Sequence, residues 1–461
     1  MQLKAEAVLI AVTLMCPSCS AFKNSAGADG GSHGSPHDPR IASLAELSIR
    51  TLRERPYGSR IFIEQQVKSK PHVSYLASYD SDDLRVYSRV DVPASPAPAQ
   101  GYPIVIFVHG WAGIDAAPTL DFYYGADSNY GEMIDAYVDA GFVVLTPGWR
   151  GHGTVNGIPA EGIEFMKAWD NASYLSPVFY AIDVLNLVDG LATFDKADLD
   201  LSSINLVAHS QGGDVALIAL AVSGEGSTVV NRIAAASIWS GCFPSRFTQL
   251  ETYQPMEKSP EAFLSGDGTW NGTAVGADGS INANFVFGYP SDSIVTPIVA
   301  NWTSQRHTFS VPAVADTFRG ALDEMYHAIN DQVGDLDDAR YRIDFNPGGK
   351  EVVSHDPRVV DGMSQIGGFN QEQYLTEPLV LQHSDRDFYS LSEWNADLCN
   401  RVNLTGGSCH DFVYAENTHS LRVSEHRWFS SENAVAGFSY AIRRDIALFR
   451  GQNPAAIAYR Q

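Results

Sequence analysis

The stretch INLVAHSQGG, residues 204–213, runs from a short apolar segment into a serine followed by two glycines. The apolar segment predicts a buried strand, and the small residues after it predict a tight turn that opens a helix. Residues 208–212 (AHSQG) are a variant of the G-x-S-x-G nucleophile elbow, with Ala208 in place of the first glycine. This motif holds the serine hydroxyl out from the edge of a sheet, so Ser210 is a candidate nucleophile. The alternative is a serine that only caps the helix.

Buried strands and amphipathic helices alternate along most of the chain. Continuously apolar runs, typical of strands covered on both faces, are residues 103–108, 142–145, 204–208, 234–239 and 378–381. Amphipathic stretches, typical of helices, are residues 131–140, 177–191, 212–222, 391–402 and 433–450. This alternation predicts an α/β fold with a mostly parallel sheet flanked by helices. Residues 83–92 instead alternate apolar and polar side chains, which predicts a strand with one exposed face.

One long segment interrupts this alternation. Residues 243–376 are rich in Gly, Asn, Asp and aromatic side chains, and a helical pattern is present only near residues 315–333. A connection of this length inside a compact domain is uncommon and usually functional. We interpret it as a cap or lid inserted after the strand that ends at Trp239.

The N-terminus has the pattern of a secretory signal. Lys4 precedes the apolar residues 7–15, which are too few to cross a bilayer as a helix, and small residues follow. We therefore predict a signal peptide over residues 1–21, a disordered tether over residues 22–42 and the α/β domain over residues 43–461. The predicted location is secreted or periplasmic. Lipid anchoring at Cys16 or Cys19 is a minor alternative, because the residues before each cysteine fit that processing signal badly.

Charge and cysteine content narrow the choice of partners. A formal net charge of -23 repels phosphate backbones and anionic lipid surfaces, which argues against nucleic acid and membrane surfaces as partners. No Cys/His spacing resembles a zinc site, and we expect no metal and no organic cofactor. In an oxidising compartment Cys399 and Cys409 are the natural disulfide pair, which leaves Cys242 free and buried. The sequence does not indicate an oligomeric state.

An acid and a base follow Ser210 in the chain order that nucleophile-elbow hydrolases use, which is Ser, then Asp or Glu, then His. Residues 379–388 (LVLQHSDRDF) predict a strand followed by a loop that contains Asp385 and Asp387. Residues 412–421 (FVYAENTHSL) predict a second strand, followed by a loop that contains His419. Both loops would follow the carboxyl ends of strands, where parallel sheets present their sites. His383, at the end of its strand, is predicted to be structural.

Five stretches together resemble the α/β-hydrolase catalytic domain of the prolyl oligopeptidase type and its dienelactone-hydrolase and esterase relatives; they are residues 75–110, 141–153, 208–213, 383–387 and 416–420. The resemblance implies Ser210 as nucleophile, Asp387 as acid and His419 as base. It also implies the Trp111 N–H as an oxyanion donor, beside the N–H of Gln211 at the start of the helix.

Two departures from the family pattern matter. Ser384 stands where that family has glycine, which leaves Asp385 as an alternative acid. The span before residue 103 is also too short for a β-propeller, so a propeller-gated peptidase is not expected.

These features predict a secreted serine hydrolase that cleaves carboxylic esters of small molecules through an acyl-enzyme. Two alternatives stay open. One is a serine exopeptidase of the prolyl oligopeptidase type that acts on short peptides. The other is a non-catalytic binding protein with the same fold.

Overall fold

One large sheet organises the chain. The computed structural model describes residues 39–114, 117–120, 129–169, 175–243, 311–345, 347, 351–384, 390–414, 419, 421 and 432–458. The predicted signal peptide, the tether up to residue 38, residues 244–310 of the predicted insertion and the two acid candidates, Asp385 and Asp387, lie outside these ranges.

The described strands are, in chain order, β1 (Phe62–Lys68), β2 (Val73–Ser81), β3 (Leu84–Val92), β4 (Tyr102–Val108), β5 (Val143–Pro147), β6 (Thr154–Val155), β7 (Ile158–Pro159), β8 (Leu199–His209), β9 (Ile233–Trp239), β10 (Arg342–Phe345), β11 (Glu351–Ser354), β12 (Leu379–Ser384) and β13 (Cys409–Tyr414). The nine-stranded sheet has the order β1-β2-β3-β5-β4-β8-β9-β12-β13, and β6–β7 and β10–β11 form separate pairs. The strands from β5 to β13 in this order are parallel, whereas β1, β2 and β3 are antiparallel. The predicted mostly parallel sheet is confirmed.

The described helices are α1 (Ile49–Glu54), α2 (Asn129–Asp139), α3 (Ile163–Ala168), α4 (Ser176–Gly190), α5 (Gln211–Ser223), α6 (Val311–Gln332), α7 (Pro357–Ser364), α8 (Ser392–Leu404) and α9 (Glu432–Phe449). They cover both faces of the sheet. Along β4, Ile104 and Ile106 pack into the core that contains α4 and α5, whereas Val105 and Phe107 pack into the core that contains α2 and α9. Because successive side chains of a strand point to opposite faces, a continuously apolar strand needs helices on both sides.

Strand β3 is more buried than its alternating sequence predicts. Its polar residues Ser88, Arg89 and Asp91 are at most 5% exposed. Arg89 Nε donates to Asp91 Oδ2 at 2.8 Å, and His72 Nε2 lies 3.0 Å from Asp91 Oδ1. The prediction of an exposed face is wrong, because these polar side chains are buried and form hydrogen bonds within the protein instead of facing water.

The described part of the predicted insertion packs on the main body. Leu322, Met325 and Ile329 of α6 are buried in the same core as α4 and α5. Ile41, in the last part of the predicted tether, forms a β-bridge with Val333 just after α6. Phe369 stacks on Phe243 with ring centroids 5.7 Å apart. The described residues between Leu322 and Leu375 therefore contribute to the core beside the sheet.

The predicted disulfide is present: Cys399 on α8 and Cys409 on β13 are bonded. Cys242 keeps its thiol outside the disulfide, as predicted, but it is only partly buried, because it lies just beyond the end of β9. Within the described ranges, no helix combines the length and apolar character that a membrane span requires.

Candidate active site

Ser210 lies at the turn between β8 and α5, where the sequence predicts it. Its backbone has φ 56° and ψ -126°, and such strained conformations cost a non-glycine residue about 1–3 kcal/mol. Neighbouring groups hold the turn: the Ser210 N–H donates to the Trp239 carbonyl at 3.0 Å, and the Ser210 carbonyl accepts from the Gly213 N–H at 2.8 Å. The serine is only partly buried, and it stands at the carboxyl edge of the parallel strands, where such sheets form their sites.

The two glycines after Gln211 allow this turn to pack. A Cβ added at Gly212 would lie 2.3 Å from the carbonyl oxygens of both Val108 and His109, and one added at Gly213 would lie 2.6 Å from Ile238 Cγ2. The N-terminus of α5 therefore sits directly on the ends of β4 and β9. A larger residue at either position would force the turn or the atoms packed against it to shift.

Two side chains fix the peptide planes after β4. The Gly110 N–H donates to the Tyr130 hydroxyl at 2.9 Å, and His109 Nδ1 lies 2.7 Å from the Gly110 carbonyl oxygen. Burial, with a smaller contribution from nearby His152, lowers the pKa of His109 to about 3, so its ring is neutral. Since a carbonyl only accepts, His109 carries its proton on Nδ1 and donates it.

This arrangement sets the direction of the Trp111 N–H. The N–H and C=O of a trans peptide point in opposite directions, so the Trp111 N–H points away from the His109 ring that holds the Gly110 carbonyl. The His109 ring stacks on the Trp149 ring, with ring centroids 3.9 Å apart, and this contact holds its position. The Trp111 side chain is 39% exposed.

Gln211 is the first residue of α5 and is 4% exposed. Amides at a helix N-terminus point out of its first turn and carry partial positive charge, which suits them to a developing oxyanion. Cys242 is also next to the serine: its Sγ lies 4.0 Å from Ser210 Oγ, and its N–H donates to the Ser210 carbonyl at 3.3 Å.

His419 lies beside the serine turn, although 209 residues separate it from Ser210 in the sequence. Its ring centroid is 4.8 Å from that of His209, the residue that precedes the serine. Its carbonyl oxygen is 3.1 Å from His209 Nε2. Leu421, two residues after His419, has φ 57° and is fully buried in the core that contains α9, which anchors the chain at this point. The fold thus places His419 against His209, the residue that precedes the predicted nucleophile.

The position of the acid stays a prediction, since Asp387 and Asp385 lie outside the described residues. The strand that leads to them, β12, pairs with β9 on one side and β13 on the other. His383 on β12 is fully buried and lies 2.8 Å through Nε2 from Asp411 Oδ1. This contact fits the structural role predicted for His383.

No sequence pattern points to Tyr130 as a site residue. Its hydroxyl lies 2.6 Å from His209 Nδ1, a contact between residues 79 positions apart. A single tyrosine at the start of a helix carries no motif, and only tertiary packing brings its ring against Phe107 and His209. A role for His209 was missed for the same reason.

Comparisons with known proteins agree with this architecture. Residues 103–285 match the family model described as alpha/beta hydrolase fold. No curated protein matches the chain in sequence.

Similar solved structures include peptidases and esterases. The acylaminoacyl peptidase of Pyrococcus horikoshii is 11% identical, with a TM-score of 0.43; the match covers 86% of this chain and 50% of that one. The acetyl xylan esterase of Paenibacillus sp. R4 is 14% identical, with a TM-score of 0.41; the match covers 83% of this chain and 93% of that one. The dipeptidyl peptidase 4 of Porphyromonas gingivalis is 12% identical, with a TM-score of 0.42; the match covers 80% of this chain and 35% of that one. The chain thus spans half of the acylaminoacyl peptidase and about a third of the dipeptidyl peptidase.

The family match covers β4, β5, β8 and β9 together with the turn at Ser210. The described sheet has the mostly parallel order and the flanking helices that this architecture requires. The chain therefore has the α/β-hydrolase fold.

Proposed function

We propose that the protein is a secreted serine hydrolase that cleaves carboxylic esters. The observation that carries the proposal is the meeting of three separate chain segments at one edge of the sheet: the strained turn at Ser210, the fixed peptide before Trp111 and the loop with His419. A helix-capping serine would need none of these neighbours. The disulfide and the N-terminal signal pattern support an extracytoplasmic location.

In the proposed reaction, neutral His419 accepts the Ser210 proton while the hydroxyl oxygen attacks the ester carbonyl. Asp387 holds the imidazole in the required tautomer. The N–H groups of Trp111 and Gln211 donate to the oxyanion of the tetrahedral intermediate. The protonated base then gives its proton to the leaving alcohol, and water hydrolyses the acyl-enzyme by the same steps.

We favour esters over peptides on the side chains that the structure describes beside the serine. An exopeptidase needs a fixed charge to hold a peptide terminus, and of the described side chains around the Ser210 turn, Tyr130, His209 and Cys242 belong to neither the acidic residues nor Lys and Arg. We further propose that the inserted region, residues 243–376, selects substrates as a cap, with the exposed Trp111 ring as a neighbouring apolar surface.

The test is labelling with a fluorophosphonate, followed by mass mapping of the modified peptide. The proposal expects a single label on Ser210 and turnover of p-nitrophenyl esters well above that of aminoacyl nitroanilides. Faster turnover of the nitroanilides would favour the peptidase alternative. Folded protein that is neither labelled nor active on either panel would favour the non-catalytic alternative.

A further inference from the structure

A chain of side-chain contacts joins the two halves of the candidate site. We call residues 109–111 the oxyanion loop. The Gly110 N–H in this loop contacts the Tyr130 hydroxyl at 2.9 Å, the hydroxyl lies 2.6 Å from His209 Nδ1, and His209 Nε2 lies 3.1 Å from the His419 carbonyl oxygen. The contacts run from the loop after β4, through α2 and the end of β8, to the candidate base.

Counting donors and acceptors fixes the direction of every hydrogen bond in this chain. Burial, with a smaller contribution from His419, lowers the pKa of His209 to about 3, so the ring is neutral and has a single N–H. The His419 carbonyl can only accept, which places that N–H on Nε2. Nδ1 is then an acceptor, so the Tyr130 hydroxyl donates to it and accepts from the Gly110 N–H.

We propose that Tyr130 and His209 are positioning residues that couple the oxyanion loop to the loop of the catalytic base. The inference deepens the proposed function and rests on it. Through Tyr130 the relay fixes the peptide of Gly110, next to the one that carries the Trp111 N–H. Through His209 it fixes the backbone of His419. A shift of either loop is transmitted to the other, because no hydrogen bond of the relay can reverse while the His209 ring has one proton.

The geometry around Tyr130 allows a clean test. Its ring contacts Phe107 edge-on at 5.0 Å and His209 edge-on at 5.5 Å, so Tyr130→Phe keeps these aromatic contacts and removes only the hydroxyl. Tyr137→Phe is the matched control. Tyr137 lies two turns further along α2, is fully buried, and donates to Asp445 Oδ2 at 2.6 Å.

Removing an oxyanion donor outright lowers kcat by about 10²–10³. Tyr130→Phe leaves the donor present but loosely held, so we expect kcat on p-nitrophenyl acetate to fall on the order of 10-fold to 100-fold, with KM within about threefold. The affinity for a boronic-acid transition-state analogue should fall in parallel. Tyr137→Phe should change kcat and analogue affinity by less than about twofold, although both variants lose hydrogen bonds of the tyrosine hydroxyl and some thermal stability.

Two substitutions at His209 separate the two ends of the relay. The amide of Asn reaches the place of Nδ1 and can still accept from Tyr130, whereas the amide of Gln reaches the place of Nε2 and can still donate to His419. Tyr130→Phe and His209→Gln therefore break the same hydrogen bond, and their effects on kcat should not add in the double variant. His209→Asn should retain more of the analogue affinity than His209→Gln.

Several results would overturn the relay. They are equal kcat losses in Tyr130→Phe and Tyr137→Phe, additive effects of Tyr130→Phe and His209→Gln, or a fall in stability with no change in analogue affinity.

A measurement on the unmodified protein covers the case in which variants fail to fold. The imidazole ¹⁵N shifts of His209 should report the Nε2–H tautomer, uncharged from about pH 8 to about pH 5. An Nδ1–H tautomer or a titration in this range would overturn the relay. Failure of the unmodified protein to react with fluorophosphonate or esters would instead count against the proposed function, and the ¹⁵N result would stand apart from it.

Discussion

Replacing Gly212 by alanine should impair catalysis by moving the nucleophile. The added Cβ would lie 2.3 Å from two backbone carbonyl oxygens, of Val108 and His109, whereas ordinary contact begins at 3.4 Å. The start of α5 must therefore retreat by about 1 Å, the difference between these distances. A displacement of about 1 Å at a reacting group can cost about 10²-fold in rate, so we expect kcat/KM for p-nitrophenyl acetate to fall about 100-fold. Overpacking should also lower the free energy of unfolding by about 1–3 kcal/mol.

The assay must separate displacement from unfolding. Gly367→Ala is the matched control, because Gly367 has φ -81° and no atom within 4 Å of an added Cβ. It should leave kcat/KM unchanged and the free energy of unfolding equal or slightly higher. Both variants are to be assayed far below their melting temperatures, with active sites counted by fluorophosphonate. A fully folded Gly212→Ala protein with the kcat/KM of the wild type would refute the reasoning that this contact positions Ser210.

Three further outcomes are expected. Asp387→Asn should lower kcat on the order of 10⁴-fold and Asp385→Asn far less; the reverse ranking in steady-state assays would make Asp385 the acid. Removing the bond between Cys399 and Cys409, which are ten residues apart, should lower the free energy of unfolding in urea by about 2–3 kcal/mol, and no change would contradict a closed loop. Burial raises the pKa of Asp445 to about 7, so its contribution to stability is complete at low pH and is lost as pH rises from about 4 through 7. As pH rises from about 5 to about 8, the free energy of unfolding of Asp445→Asn should therefore fall less than that of the wild type. Urea titrations that show an equal fall in both proteins would contradict this linkage.

Most of the sheet could be predicted because its strands are apolar on both faces. The runs at residues 103–108 and 204–208 lie within β4 and β8 and lead into the oxyanion loop and Ser210. The disulfide could be predicted because its cysteines are close in sequence and compete with few others. The burial of β3 could not be predicted, because polar side chains that pair with one another give the same sequence pattern as side chains that face water.

The relay could not be predicted at all. Tyr130 and His209 meet only because the fold packs the Tyr130 ring against Phe107 and His209, and no local pattern records that meeting. The direction of the Trp111 N–H likewise depends on a hydrogen bond between His109 and the next peptide, which depends on burial of the His109 ring.

The most direct test of the central claim is to replace Ser210 with alanine and compare it with Ser223→Ala, a buried serine at the other end of α5 whose loss leaves the site untouched. The account predicts that Ser210→Ala abolishes ester hydrolysis and fluorophosphonate labelling while thermal unfolding stays close to that of the wild type. Ser223→Ala should retain both activities. Persistent labelling and turnover in folded Ser210→Ala protein would show that another residue is the nucleophile and would contradict the account.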